Sequence, residues 1–177
     1  WDTLLAAHAD EYHELYAACR LEIDAPENGA PTDKRLDAVK NGGNDPTLPA
    51  LFFNYGRYLF IASTANADLP PNLQGKWNES IDPPWQCDYH FDINLQMNYW
   101  PVETTAMQWG VPALIEFVER FVPHGRKAAR DLYGCGGVYL PLQSDCWGRA
   151  TPESWGYAAW IGADAWMAQH FWWHFEF

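Results

Sequence analysis

Residues 69–103, LPPNLQGKWNESIDPPWQCDYHFDINLQMNYWPVE, gather the side chains of this chain best suited to chemistry. Four broad rings, Trp77, Trp85, Tyr89 and Trp100, alternate with amides and short acids at Asn72, Gln74, Asn78, Asp88, Asp92, Asn94, Gln96 and Asn98. The stretch holds only one Lys and no Arg. A flat ring stacks on the C–H face of a sugar, and the sugar's hydroxyls need donors and acceptors held in place. The segment as a whole therefore reads as a saccharide site. At any single position the alternative is structural, with amides capping backbone groups and indoles filling core.

The frame that must position these groups is bounded by composition. The chain has 177 residues, 48% of them hydrophobic, enough for one domain with a sizeable core. Its net charge of −12 argues against nucleic acid, whose phosphates need clustered Lys and Arg. Eleven Trp, mainly in the C-terminal two-thirds, suit carbohydrate stacking or the interior of a large helical barrel. The four Cys (Cys19, Cys87, Cys135 and Cys146) form no CxxC pair, so a metal site has no support. Cys135 and Cys146 could close a loop in an oxidising compartment, or all four could be free thiols. No apolar run reaches membrane-spanning length. Trp1 opens the chain without Met and Phe177 falls inside a predicted helix, so the chain reads as part of a longer polypeptide, whose remainder is its expected partner.

Apolar spacings of three and four predict helices over 2–22, 34–40, 49–64, 92–103, 111–133 and 157–177. Thr32 or Asp33 is the expected cap of the second and Asp92 of the fourth. The glycine run Gly134, Gly136 and Gly137 is expected to end the fifth, and 138–140 to be briefly extended. Arg57 is expected either to orient a carboxylate or to lie at the surface. His8 and His13, five apart, do not share a face as ligands would. The last helix, aromatic on nearly every side, belongs in the interior of a large protein. The segments 24–49 and 143–156 read as loops, and the connection at 65–91 is long, as functional loops in compact domains usually are. With no βαβ alternation, the pattern suits an array of antiparallel helix hairpins, of which a closed toroid gathers its loops at one end.

Four stretches now carry a resemblance: LFFNYGRYLFIAST, the 69–103 segment, GRKAARDLYG and AWMAQHFWWHFEF. They resemble the catalytic domain of glycoside hydrolase family 95, the 1,2-α-L-fucosidases and their α-L-galactosidase relatives. The similarity covers essentially the whole chain, and NLQGKWN and NLQMNYWP are its specific pieces. The resemblance implies an all-α fold, an (α/α)₆ toroid, with residues 1–177 the N-terminal part, about the first half, of a single catalytic domain. It implies exo-acting hydrolysis of a terminal sugar from glycans with inversion, by a Glu acid and an Asp base expected beyond Phe177. Glu153 is a weaker candidate acid, in a different motif. The family's water-holding Asn-x-Asn falls on Asp92-Ile93-Asn94; Asn94 matches, whereas Asp92 stands where the family has Asn. Asp92 and Asn94 are thus the catalytic candidates. His90 falls on a position that contacts the sugar near C5–C6, and Asn72, Gln74, Trp77 and Trp160 complete the substrate-binding set. The stretch 143–145 differs from the His-rich one of the family. No metal or cofactor is implied, and an extracytoplasmic or secreted location is. The alternatives are a glycan-binding or scaffold domain that kept the fold and lost the chemistry, or a glycosidase of another sugar specificity.

Overall fold

The computed structural model describes residues 1–152 and 159–177. It is mainly helical, as an all-α fold requires. Helices α1 (Asp2–Tyr16), α2 (Thr32–Lys40) and α3 (Leu48–Thr64) precede strand β1 (Tyr89–His90) and the short α4 (Asn94–Tyr99). Then follow α5 (Val111–Tyr133), strand β2 (Gln143–Ser144) and α6 (Ala163–Glu176). The chain forms two compact units, Trp1–Ile61 and Ala62–Phe177. No helix of the described residues is long and apolar enough to cross a membrane.

In the first unit α1 stops at Tyr16, short of the predicted 22. The reason is Arg57, which is neither at the surface nor on a carboxylate. It is 2% exposed and donates from Nη1 to the carbonyls of Tyr16 (2.9 Å) and Cys19 (2.8 Å), and from Nη2 to that of Leu15 (3.3 Å). A cation thereby satisfies carbonyls left open at the negative end of α1, and its guanidinium lies 5.1 Å from the Tyr16 ring centre. No side chain caps α2; Pro31 occupies the cap position, so neither Thr32 nor Asp33 has that role. The connection around α2 closes on Asp45. Its carboxylate accepts from Arg35 Nε (2.7 Å) and Nη2 (3.0 Å), Asn28 Nδ2 (2.7 Å) and the Thr47 amide (3.2 Å).

The second unit is built on α5. Phe117 and Phe121, one turn apart, meet Phe91 with centroids 6.1 and 5.3 Å away, and Tyr89 lies 4.4 Å from Phe117. The buried stripe runs through Leu114, Phe117, Phe121 and Ala128, while Leu132, which continues the same spacing, is half exposed. Gly134 ends α5 in the left-handed conformation with φ 64°, as the glycine run predicts. Gly125 is required for another reason: a Cβ there would stand 2.7 Å from Val138 Cγ1 and 2.8 Å from the Tyr139 carbonyl oxygen. Residues 138–140 are thus held against the α5 backbone, and the strand forms later, at β2. Helix α4 ends at Tyr99 rather than 103, because Pro101 disfavours helical continuation. Helix α6 begins at Ala163, after Gly162, against which the Trp160 ring packs. It buries Ala163, Met167 and His170, and exposes Trp172, Phe175 and Phe177. All four Cys are free.

Candidate active site

The site is assembled in the second unit from the turn at 72–77, the stretch 87–92 and β2. Asn72 starts the turn. Its Oδ1 accepts from the Gln74 amide at 3.0 Å and from Cys87 Sγ at 3.4 Å, and its carbonyl accepts from the Gly75 amide at 3.0 Å. Gly75 has φ 67°, and a Cβ there would lie 2.8 Å from the Trp77 ring, so the turn and the indole both need glycine. Trp77 itself is 46% exposed. The Leu73 amide donates to the Asp88 carbonyl at 2.9 Å, which ties the turn to the strand.

Just before the strand, Trp85, Gln86 and Cys87 all take positive φ (48°, 55° and 53°). A left-handed conformation costs an ordinary residue roughly 1–2 kcal/mol, and such strain persists only where surrounding structure imposes it. Past it, side chains alternate as in any strand. Tyr89 and Phe91 point to the Phe117 core. Burial pushes the Tyr89 hydroxyl up to about 12, and it donates to the Pro70 carbonyl at 3.1 Å. Asp88 and His90 fall on the other face. His90 Nε2 lies 2.8 Å from Asp88 Oδ1, off the line of a hydrogen bond, so each atom is shielded from solvent without a well-aligned partner. The other carboxylate oxygen of Asp88 accepts from Gln143 Nε2 at 3.4 Å. β1 and β2 are antiparallel, with His90 opposite Gln143 and Tyr89 opposite Ser144.

Asp92 follows in the turn before α4. It does not cap the helix as expected; Ile93 holds that position, and no side chain makes a cap bond. Asp92 Oδ1 is instead shielded and unpaired. Asn94, half-buried, is the first residue of α4. Behind it Gln96, fully buried, donates from Nε2 to the Phe91 carbonyl at 2.7 Å and leaves Oε1 unpaired. Gln74 Oε1 and Trp160 Nε1 are in the same condition. Buried polar atoms are nearly always bonded, so a set of unpaired ones calls for an explanation.

The structure thus brings Asn72 into one hydrogen-bonded assembly with Cys87 and, through Leu73, with Asp88, beside which His90 lies at 2.8 Å. A cleft of about 350 Å³ beside it is lined by Asn72, Gly75, Lys76 and Tyr89 among others; Asp92, Asn94 and His90 are not in its wall. A second cavity, about 480 Å³ between α5 and Arg149–Thr151, takes in none of the predicted residues. Glu153 lies outside the described residues. Among the described residues no group of His, Cys, Asp and Glu is arranged to hold a metal. Asp88 and Gln96 stood among the amides and acids of the 69–103 stretch without an individual role, and Gln143 had none. The i, i+2 spacing of Asp88 and His90 was the available signal for the first, since it puts both on one strand face.

A helical frame that leaves buried amide and carboxylate oxygens unpaired has acceptors to offer a polar ligand. The comparisons with known proteins point to a family. The sequence profile of the glycosyl hydrolase family 95 catalytic domain matches residues 1–177. The chain is 36% identical over 182 residues to a probable alpha-fucosidase A of Aspergillus niger, covering all of this chain and 23% of that protein. It is 32% identical over 185 residues to alpha-L-fucosidase 2 of Arabidopsis thaliana, again along its whole length, and covers 22% of that protein. A probable alpha-fucosidase A of Aspergillus oryzae is 37% identical over 140 residues, 76% of this chain. The chain belongs to the glycosyl hydrolase family 95 catalytic domain, and spans about a fifth of the length of these relatives.

Proposed function

We propose that the polypeptide to which this chain belongs is an inverting exo-α-glycosidase that removes a terminal α-L-fucose-like sugar from glycans. Residues 1–177 supply the N-terminal part of a single (α/α)₆ catalytic domain, about the first half of the toroid. In this reading a water sits beneath the anomeric carbon, held by Asp92 and Asn94. The acid and base carboxylates come from polypeptide outside residues 1–177, and inversion needs them roughly 6.5–9.5 Å apart to admit that water. The glycosidic C–O bond breaks as the water oxygen bonds to the anomeric carbon. The acid's proton goes to the leaving oxygen, and the water's proton to the base. An ionised Asp92 can only accept, so it orients the water by accepting a hydrogen bond from it, while the Asn94 amide can donate as well. His90, Asn72, Gln74, Trp77 and Trp160 contact the sugar, and no metal or cofactor takes part. An extracytoplasmic or secreted location goes with glycan substrates.

The observation that carries the reading is the shielded, unpaired Asp92 Oδ1 two residues ahead of α4, in a chain whose fucosidase-named relatives match along its whole length. The test is hydrolysis of aryl α-L-fucoside and aryl α-L-galactoside by the full-length protein, with residues 1–177 alone expected to be inactive. Turnover of the galactoside alone moves the specificity to the sister sugar. The replacement of the family's Asn by Asp92 favours a second reading, a glycan-binding domain without catalysis. Retained glycan binding with no hydrolysis of either compound would establish it.

A further inference from the structure

We propose that Asp88 is a positioning residue that fixes which nitrogen of His90 meets the sugar. The proposal rests on the saccharide reading above and deepens it. Asp88 and His90 stand two apart on one face of the strand, with Asp88 Oδ1 2.8 Å from His90 Nε2. Their side chains are only 13% and 7% exposed. Gln143 Nε2 donates to Oδ2, and the Leu73 amide to the Asp88 carbonyl, so the carboxylate is anchored through both its backbone and its far oxygen. The sole element missing is alignment: Nε2 and Oδ1 are at bonding distance but off axis. Hydrogen bonds of catalytic groups are often misaligned in the empty protein and tighten when ligand binds.

The chemistry follows from the donor inventory. An ionised carboxylate only accepts, so the nitrogen facing it must carry hydrogen. Asp88 therefore selects the Nε2–H form of a neutral His90. Nδ1 is then left with its lone pair, able to accept from a sugar hydroxyl. Without Asp88 the ring would sample both tautomers and lose its fixed orientation. Gln143 makes the arrangement tolerant of one change: its amide can turn over and present oxygen instead of nitrogen.

The experiment uses the full-length protein and aryl α-L-fucoside, with L-fucose affinity measured alongside. Asp88→Ala should lower kcat/KM by roughly 10–100-fold, the range spanned by a charge-assisted hydrogen bond. The loss should fall on KM, with kcat little changed, because His90 binds a part of the sugar that does not react. Asp88→Asn should recover most of it, since its amide oxygen still accepts from Nε2–H while Gln143 turns over. In a His90→Ala background, Asp88→Ala should cost nothing further. A purely structural carboxylate would add its cost in either background, and that additivity overturns the proposal. Should Asp88→Ala not fold, Asp88→Gln in both backgrounds serves the same comparison. An active wild type whose kinetics Asp88→Ala leaves untouched sinks the positioning role alone. A wild type that neither hydrolyses the glycoside nor binds L-fucose sinks the saccharide reading, and the positioning role with it.

Discussion

Two long connections of this molecule, both punctuated by Pro and Gly, end in opposite conditions. In the stretch around α2, the polar groups close on one another. Asp45 takes two bonds from Arg35, one from Asn28 and others from Thr47, with its side chain 3% exposed. In the stretch from the 72–77 turn to α4, oxygens of Gln74, Asp88, Asp92 and Gln96 are as shielded from solvent, yet each lacks a bonded partner. Low exposure alone therefore does not separate a structural polar group from a functional one. In the proposed reading, what separates them is whether the protein supplies the partner. A saturated cluster has nothing left to offer a ligand, whereas an unpaired buried oxygen costs about 1–3 kcal/mol unless water or substrate completes it.

The comparison breaks most sharply at Asn94. Asn94→Ala in the full-length enzyme should lower kcat by about 10²–10³-fold, the cost of removing one preorganised polar group from a transition state. KM should move little, because the interaction is made with the attacking water rather than with the bound sugar. Steady-state kinetics on aryl α-L-fucoside measure both. Equal kcat values for variant and wild type would take Asn94 out of the chemistry and leave the open cluster without its central claim.

The closed cluster should respond in stability and not in kinetics. The Arg35 hydrogen bonds hold the Asp45 carboxyl well below the usual carboxylate range, against the opposing effect of burial. A carboxyl whose folded pKa is depressed contributes stability that is fully present above its unfolded pKa. That contribution fades as pH falls below about 4 toward the folded value. Asp45→Asn should remove it, so hydrogen-exchange protection around Thr47 drops at neutral pH and loses its decline with acid. The effect should exceed that of deleting Lys127 from its exposed pair with Asp131, because exposed pairs contribute little. An unchanged kcat/KM belongs to the same expectation. A variant that folds normally but loses turnover would mean that the closed cluster reaches the chemistry.

Much of this frame was legible in the sequence because its signals are local. The three-four spacing from Val111 and the glycines after Tyr133 set α5 to the residue, whereas the helix expected over 92–103 ran past Pro101 and in fact stops at Tyr99. What sequence missed depends on partners far apart in the chain. Nothing near Arg57 announces that it caps α1 from about 40 residues away, nor that Gln143 would face His90 across a two-strand ladder. Asp92 was misplaced as a helix cap because an acid before an apolar run is the ordinary signal for one. Here the Gln96 side chain, through Nε2, donates to the Phe91 carbonyl in that turn, and the Asp92 oxygen makes no cap bond. Of the site itself, residue types and their crowding were readable, and the Asp88–His90 pairing was foreshadowed only by spacing.

The smallest effect separates two glycines inside helices, one in each compact unit. Gly56 lies exposed in α3, and a Cβ added there meets nothing within 4 Å. Gly125 lies buried in α5, where the same atom would strike Val138 Cγ1 and the Tyr139 carbonyl oxygen at 2.7 and 2.8 Å. Glycine inside a helix costs roughly 0.5–1 kcal/mol relative to Ala through backbone entropy. Gly56→Ala should therefore stabilise by about that amount, read as slower local exchange along α3. Gly125→Ala should forfeit the same gain and lose about 1–3 kcal/mol more, since forcing the 138–139 segment off α5 is overpacking against backbone. That segment leads into β2, so the displacement should also reach Gln143 and, through it, Asp88. A Gly125→Ala protein with wild-type stability and KM would show that the approach of 138–139 to α5 is not what sets the position of β2.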